Sequence, residues 1–357
     1  MIINYYNREL IDAGAFSLHD YVVSKFLFET DEIKMNVEYI ERRISSNVCI
    51  RMSRIITFSG IDHFEYIFSS EKARSNEIFC MECIELDNKI KITDVHDLDL
   101  AQTLDCGQSF RWKPQADGSF HGVAYGKSVT VSLDKTDMYI ENATADDFKN
   151  IWYSYFDFSL DYGKIREEIS TIHPVLNEAA KYAPGIRILR QEPFEALCTF
   201  IISQNNNIKR IKGIVERLCE NFGTRLDDGE FAFPTAETLA KLSPDDLAPL
   251  RAGFRNRYII DAAQKVANGE VNLDSCFTLG YEDARAELMK ITGVGKKVAD
   301  CTLLFGMHRI EAFPIDVWMK RAMEKLFPNM NGDDFGQYAG IAQQYIFHYS
   351  RMHPELF

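Results

Sequence analysis

Long hydrophobic runs are missing from this chain of 357 residues. No window approaches the roughly eighteen apolar residues that a spanning helix needs, which excludes a membrane span. A secretory signature is missing too. Met1 opens onto Ile-Ile-Asn-Tyr-Tyr with no basic start, apolar centre or small-residue cleavage site, so the expected compartment is the cytoplasm, at the nucleoid in a prokaryote. The eight cysteines are scattered. A chain of this length needs no disulfide frame, so they read as reduced thiols. With 20 glycines and 10 prolines against 46% hydrophobic residues, the composition excludes a disordered or collagen-like chain. Internal repeats and low-complexity tracts are absent. A basic excess is absent as well. The formal charge of −13 argues against indiscriminate DNA binding, yet a local basic strip or oriented backbone N–H groups can still hold a phosphate chain.

The length suggests two or three domains. Residues 1–80 hold poorly patterned aromatics (Tyr5, Tyr6, Phe16, Phe26, Phe28, Phe64, Phe68) and no chemical motif. Two readings are open for them: an accessory domain or arm, or an artefact preceding a natural start at Met81. Residues 81–180 read as a β-rich domain. Lys89-Ile-Lys-Ile alternates, with Ile90 and Ile92 on one face. Phe120–Tyr125 and Ser128–Leu133 flank Gly126-Lys127, a hairpin signal. Residues 145–175 turn helical. The region 181–357 is almost wholly helical from 191 onward. Ile208, Ile211, Ile214, Val215, Leu218 and Phe222 mark one buried face, closed by Gly223. Ser243-Pro-Asp-Asp predicts a helix start, and further helices are expected over 282–290, 298–305 and 335–349. A sheet followed by a helical array makes an α+β protein.

The most informative segment is Leu288-Met-Lys-Ile-Thr-Gly-Val-Gly-Lys-Lys-Val-Ala-Asp-Cys. Two helices flank a tight turn at Gly293 and Gly295, where glycine permits positive φ and close approach of another backbone. N–H groups entering a helix N-terminus suit a phosphate. Alone, such a turn could be a plain helix connection. Lys297, however, opens the second helix with Cys301 four residues on along the same face. A lysine at the positive end of the helix dipole is poorly placed as a cation, which favours the neutral amine that a nucleophile needs. Asp316 follows in Phe-Pro-Ile-Asp-Val-Trp, where a helix cap and a catalytic carboxylate can coexist.

The Gly-Val-Gly-Lys-Lys-Val-Ala-Asp-Cys run, with Asp316 nineteen residues after Lys297, resembles the helix-hairpin-helix DNA glycosylase superfamily. Within it, the likeness over about 84–357 is to the 8-oxoguanine DNA glycosylase/AP lyase family. The resemblance implies a small N-terminal antiparallel-sheet domain, TATA-binding-protein-like in shape, followed by a helical catalytic region. It also implies roles residue by residue. Lys297 and Asp316 would be catalytic. Cys106-Gly-Gln-Ser-Phe-Arg-Trp places the lesion-reading carbonyl on Gly107. Ser203-Gln-Asn-Asn-Asn-Ile-Lys-Arg puts strand contacts on Asn205 and Arg210. Gly253-Phe-Arg-Asn-Arg-Tyr makes Phe254 a duplex wedge and Arg255 a reader of the orphaned base. The last helix offers Gln343 and Phe347, which with Cys301 would hold the extruded base. Gly293 and Gly295 would sit against the DNA backbone.

The implied partner is duplex DNA containing 8-oxoguanine, the implied activity is base excision opposite cytosine followed by strand cleavage, and the implied assembly is a monomer. No cofactor is expected. Cys80-Met-Glu-Cys83 has no second pair to complete a zinc site, and the four-cysteine iron–sulfur cluster of some relatives is missing after residue 301. Three positions depart from the family pattern: Thr292 stands where many hairpins have proline, Phe254 lacks a tyrosine hydroxyl, and Trp318 replaces a histidine of some members. The alternatives are a monofunctional glycosylase for alkylated bases and a non-catalytic lesion-binding module. Lys297 argues against the first, and Lys297 with Asp316 against the second.

Overall fold

The computed structural model describes residues 83–357 in full apart from 87, and before them the backbone of the strands between 21 and 86. Residues 1–20 and the strand connections at 30–31, 46–47, 58–63 and 75–76 lie outside the described residues, as do the side chains before Cys83. The expectations placed on Tyr5, Tyr6, Phe16 and the side chains of Phe26, Phe28, Phe64, Phe68 and Cys80 therefore fall outside it. The protein is α+β, and the chain divides into two compact units, one of residues 1–95 and 134–148, the other of 96–133 and 149–357.

In the first unit, β1 (Tyr21–Glu29), β2 (Glu32–Ser45), β3 (Val48–Thr57), β4 (Phe64–Arg74), β5 (Glu77–Leu86) and β6 (Lys89–Ile92) follow one another as an antiparallel meander. The part of the chain that reads as unpatterned is thus built of strands. The reason is visible in β2, where Ile33, Met35, Val37 and Tyr39 alternate with polar residues at the strand period of two. Met81 falls in the middle of β5 rather than at the start of an element. Glu77–Ile84 of β5 pair with β4, and Cys83–Leu86 pair with β6. Ile90 and Ile92 share the buried face of β6, as their alternation predicts. The strand at Asp137–Glu141 covers the other side of β6.

The second unit opens with α1 (Leu100–Leu104), then the short strand Lys113–Pro114 and a hairpin of Phe120–Ala124 against Lys127–Asp134. Tyr125 and Gly126 make its turn, both at positive φ (52° and 68°), the primed geometry that matches strand twist. Trp112 in this region donates its indole N–H to the Tyr155 hydroxyl at 2.7 Å. Its ring packs among Tyr155 and Phe156 with centroids 6.0–6.3 Å apart.

The helices that follow are α2 (Tyr162–Ser170), α3 (Pro174–Tyr182), α4 (Pro193–Ser203), α5 (Ile208–Phe222), α6 (Ala236–Ala240), α7 (Arg255–Ala267), α8 (Tyr281–Met289), α9 (Lys296–Gly306), α10 (Val317–Leu326) and α11 (Ala339–Met352). From Glu195 to Ile202, α4 is buried on every side, the mark of a central core helix, and α9 packs along it. α5 buries only the Ile211, Ile214, Val215 and Leu218 face. Two expected helix starts are wrong. Ser243 begins a pair of turns, its N–H and hydroxyl both spent on the Asp246 carboxylate at 2.8 Å, with only a short 3-10 turn at Ala248–Leu250. The last α-helix starts at Ala339 rather than Phe335, because Gly336 at φ 67°, ψ −152° breaks the run. No helix among the described residues is long and apolar enough to cross a membrane.

Candidate active site

The α8–α9 turn is held by both of its flanks. Asp300, one turn into α9, accepts from the Tyr281 hydroxyl at 2.8 Å and from Arg285 Nε at 2.7 Å, which braces α9 on α8. Asp261 of α7 accepts the Thr292 N–H at 2.7 Å. Gly293 sits at φ +83°, and a Cβ there would come within 2.5 Å of the Tyr258 ring. Both conformation and space thus demand glycine. A Cβ on Gly295, the cap residue of α9, would meet nothing within 4 Å. The turn therefore presents an open glycine edge and the unpaired N–H groups of the first turn of α9 to the outside, an arrangement suited to an anion.

Lys297 points from that first turn into a cavity of about 270 Å³. Its Nζ donates to Ser203 Oγ at 2.9 Å and lies 5.3 Å from the centroid of the Phe200 ring. Lys296, the neighbouring lysine, is exposed and lies off the cavity wall. Asp316, also on the wall, caps α10 by accepting the Met319 N–H at 2.8 Å through Oδ1. Its second oxygen takes no partner among the described residues, so the cap and a cavity-facing carboxylate do coexist. Cys301, one turn beyond Lys297, is buried. Burial pushes its thiol up to about 12 against the opposing pull of Lys297, so it lines the cavity as a neutral, polarisable group.

Gly107, Gln343 and Phe347 also line the wall. Gln343 is 5% exposed, and its Oε1 is buried without a hydrogen-bond partner. Buried polar atoms are nearly always paired, so this acceptor is held ready for a donor that enters the cavity. Trp318 stands at the cavity wall, 37% exposed, with the Arg321 guanidinium 5.8 Å from its ring. The structure thus gathers Gly107, Lys297, Cys301, Asp316, Gln343 and Phe347 around one space, although they span 240 residues of sequence. Ser203, Phe200 and Arg351 share that wall and were not singled out from sequence. Ser203 alone carried a signal, as the first residue of the asparagine-rich segment.

Asn205, Arg210, Phe254 and Arg255 form a second cluster beside the cavity. Asn205 is exposed at φ 46° on the α4–α5 turn, while Asn206 and Asn207 line the cavity. Asn207 also caps α5, accepting the Arg210 N–H at 2.9 Å. Arg210 is exposed and reaches only the Arg251 carbonyl, at 3.4 Å. Phe254 is 49% exposed, an apolar ring at a loop tip against Tyr258 with centroids 5.7 Å apart. Arg255 differs from the others. It is 3% exposed, and its guanidinium donates to the carbonyls of Gln204, Asn205 and Ala252. Its donors are committed to holding the two loops together. Tyr258 joins this cluster to Gly293 of the hairpin, a link that sequence reasoning missed.

Residues 90–197 match the family described as 8-oxoguanine DNA glycosylase, N-terminal domain, and 198–335 match the HhH-GPD superfamily of base excision DNA repair proteins. The N-glycosylase/DNA lyase of Saccharomyces cerevisiae is 34% identical over 258 residues, 64% of this chain and 68% of that protein. The chain belongs to the 8-oxoguanine DNA glycosylase family. The N-glycosylase/DNA lyase OGG1 of Arabidopsis thaliana, another member, is 30% identical over 290 residues, 72% of this chain and 78% of its own. A solved 8-oxoguanine glycosylase/lyase of Clostridium acetobutylicum, in complex with double-stranded DNA containing cytosine opposite 8-oxoguanine, superposes with a TM-score of 0.72 at 38% identity, covering 77% of this chain and 98% of that one.

Proposed function

We propose that this chain is a bifunctional DNA repair glycosylase/AP lyase that flips 8-oxoguanine out of duplex DNA and excises it, preferring cytosine as the opposite base. A base must leave the stack before its glycosidic bond can be attacked, at a cost of a few kcal/mol. Phe254 filling the gap, with Arg210 and Asn205 facing the orphaned base, offsets that cost. Arg255, whose donors are spent on backbone, holds these loops in place. The extruded base enters between Phe347 and the neutral Cys301 thiol. Its N1–H and N2–H groups, which guanine and 8-oxoguanine share, suit the vacant Gln343 acceptor.

Oxidation turns N7 of guanine from an acceptor into an N–H donor. The Gly107 carbonyl accepts that proton from the lesion but meets a lone pair on normal guanine, so one hydrogen bond both attracts and rejects. The Lys297 amine then attacks the anomeric carbon, the base departs with the bonding electron pair and takes up a proton, and ring opening leaves a Schiff base. Loss of a proton from the adjacent sugar carbon expels the 3′ phosphate by β-elimination. The Asp316 carboxylate stabilises the positive charge that develops on the sugar. Placement of Lys297 on the cavity wall beside Asp316 is the observation that carries this reading, and it disfavours a monofunctional enzyme. The chain acts as a monomer in the cytoplasm. A cavity lined by residues of this chain and the free, buried cysteines among the described residues support that part.

Single-turnover excision on duplexes with one 8-oxoguanine opposite each base, followed by borohydride reduction, tests the reading. Excision fastest opposite cytosine with a trapped protein–DNA adduct is expected. Excision of 3-methyladenine instead, without an adduct, would overturn it.

A further inference from the structure

The loop carrying Gly107 is gripped with unusual completeness, and one grip comes from a residue that none of the roles above uses. Below the loop, the buried Gln108 side chain donates to the carbonyls of Thr103 (2.9 Å) and Arg187 (2.7 Å) and accepts the Leu189 N–H at 2.9 Å. The Gln108 carbonyl accepts from Gln191 Nε2 at 2.7 Å. Above it, one face of α11 closes on the loop at i, i+3 and i+7. Gln344 Nε2 lies 3.0 Å from the Cys106 sulfur, and Arg351 Nη1 donates to the Cys106 carbonyl at 3.2 Å. Between them sits Phe347, whose ring has the Arg351 guanidinium 5.5 Å from its centroid.

The carbonyls of Cys106 and Gln108 are thus each capped by a side-chain donor, and the Gly107 carbonyl between them accepts from nothing among the described residues. Gly107 itself is at φ +96°, and a Cβ there would sit 3.2 Å from Ile208, 3.6 Å from Arg351 and 3.6 Å from Phe347. With the peptides on both sides tied down, the middle one has little freedom to rotate. Capping the Cys106 carbonyl also keeps it from competing for a donor entering the cavity.

We propose that Arg351 is a specificity-positioning residue: it fixes the Cys106–Gly107 peptide and the Phe347 ring together, so that stacking a base and reading its N7 position become one geometric event. This rests on the reading of Gly107 given above. The guanidinium suits the task because its planar fork stacks on the ring while an edge N–H donates. A hydrogen bond from a charged donor, together with the stacking, is large enough for its loss to be read as a change of roughly tenfold or more.

The test compares wild type, Arg351→Met and Arg351→Lys on two duplexes, one with 8-oxoguanine opposite cytosine and one with a preformed abasic site, which needs no base reading. In Arg351→Met, 8-oxoguanine excision should fall at least tenfold more than abasic-site cleavage does. Arg351→Lys, which keeps a donor and loses the planar stack, should recover part of the difference. In a Lys297→Gln background, Arg351→Met should narrow the ratio of affinities for 8-oxoguanine and guanine duplexes. Equal falls on both substrates with an unchanged affinity ratio would make Arg351 a structural residue and overturn the proposal. Wild type that cleaves abasic sites but leaves 8-oxoguanine in place would instead defeat the substrate reading.

Discussion

Two groups of polar side chains lie in the helical unit, and they are finished to different degrees. Around Asp157, every strong acceptor is used. Its carboxylate takes the Tyr162 hydroxyl at 2.8 Å, His308 Nε2 at 2.9 Å and Arg190 Nε at 3.1 Å, and its carbonyl takes Arg187 Nη1 at 3.0 Å. Around the cavity, by contrast, the Gln343 oxygen, the second Asp316 oxygen and the Gly107 carbonyl wait without donors. For Gln343, the buried one of the three, lacking a partner costs about 1–3 kcal/mol. A chain that spends its polar groups fully in one place and leaves them open in another separates a structural network from a binding site. Residue type alone does not make that distinction, since both groups contain an aspartate, a basic residue and aromatics.

The contrast breaks most sharply at Lys297. Lys297→Gln should abolish borohydride trapping while duplexes containing 8-oxoguanine still bind, as read by gel shift. Next is Asp316. Asp316→Asn should lower the single-turnover excision rate by about 10²–10³-fold, the scale of losing a preorganised charge, with binding changed far less. Equal losses in rate and affinity would reduce Asp316 to the cap of α10.

The structural network should answer differently. Burial drives the Asp157 carboxyl up, but His308, Arg190 and Tyr162 outweigh it and hold it down to about 2. A depressed carboxylate contributes stability above its unfolded value near 4 and loses it as pH falls through its folded value. This contribution, about 2 kcal/mol at neutral pH, should vanish between roughly pH 4 and pH 2. Asp157→Asn should cost about 3 kcal/mol in denaturant melts at pH 7 and flatten that acid limb. Trapping by the folded fraction should persist.

The smallest effect is expected at the outer cluster. Arg210, unlike Arg255, is free to meet a base, and such a contact gives about 1–3 kcal/mol of discrimination. Arg210→Ala should therefore narrow the ratio of excision rates opposite cytosine and adenine by tenfold or more. A constant ratio with both rates reduced would make Arg210 a backbone clamp.

How much of this could be read from sequence depended on the range of the interaction. The hairpin was legible because Gly293, Lys297 and Cys301 act within three turns of one another. The Asp316 cap was legible because its N–H partner is three residues away. β2 carries the alternation of Ile33, Met35, Val37 and Tyr39, a period-two signal masked by the irregularly spaced aromatics of the flanking segments. The start of the last helix failed on a single left-handed glycine, Gly336, inside an otherwise periodic stretch. Tyr258 and Arg351 could not be placed this way, and Ser203 stood out only as the first residue of its asparagine-rich segment. Ser203 meets Lys297 across 94 residues and Arg351 meets Cys106 across 245, and nothing local in the chain records those meetings.

The central claim is that the half-buried lysine of the α8–α9 turn, and not its exposed neighbour, forms the bond to DNA. It is tested most directly by reducing the reaction with borohydride, digesting the adduct and mapping the modified residue by mass spectrometry. The account predicts the deoxyribose remnant on Lys297 alone. A remnant on Lys296, or an adduct of equal yield in Lys297→Gln, would contradict it.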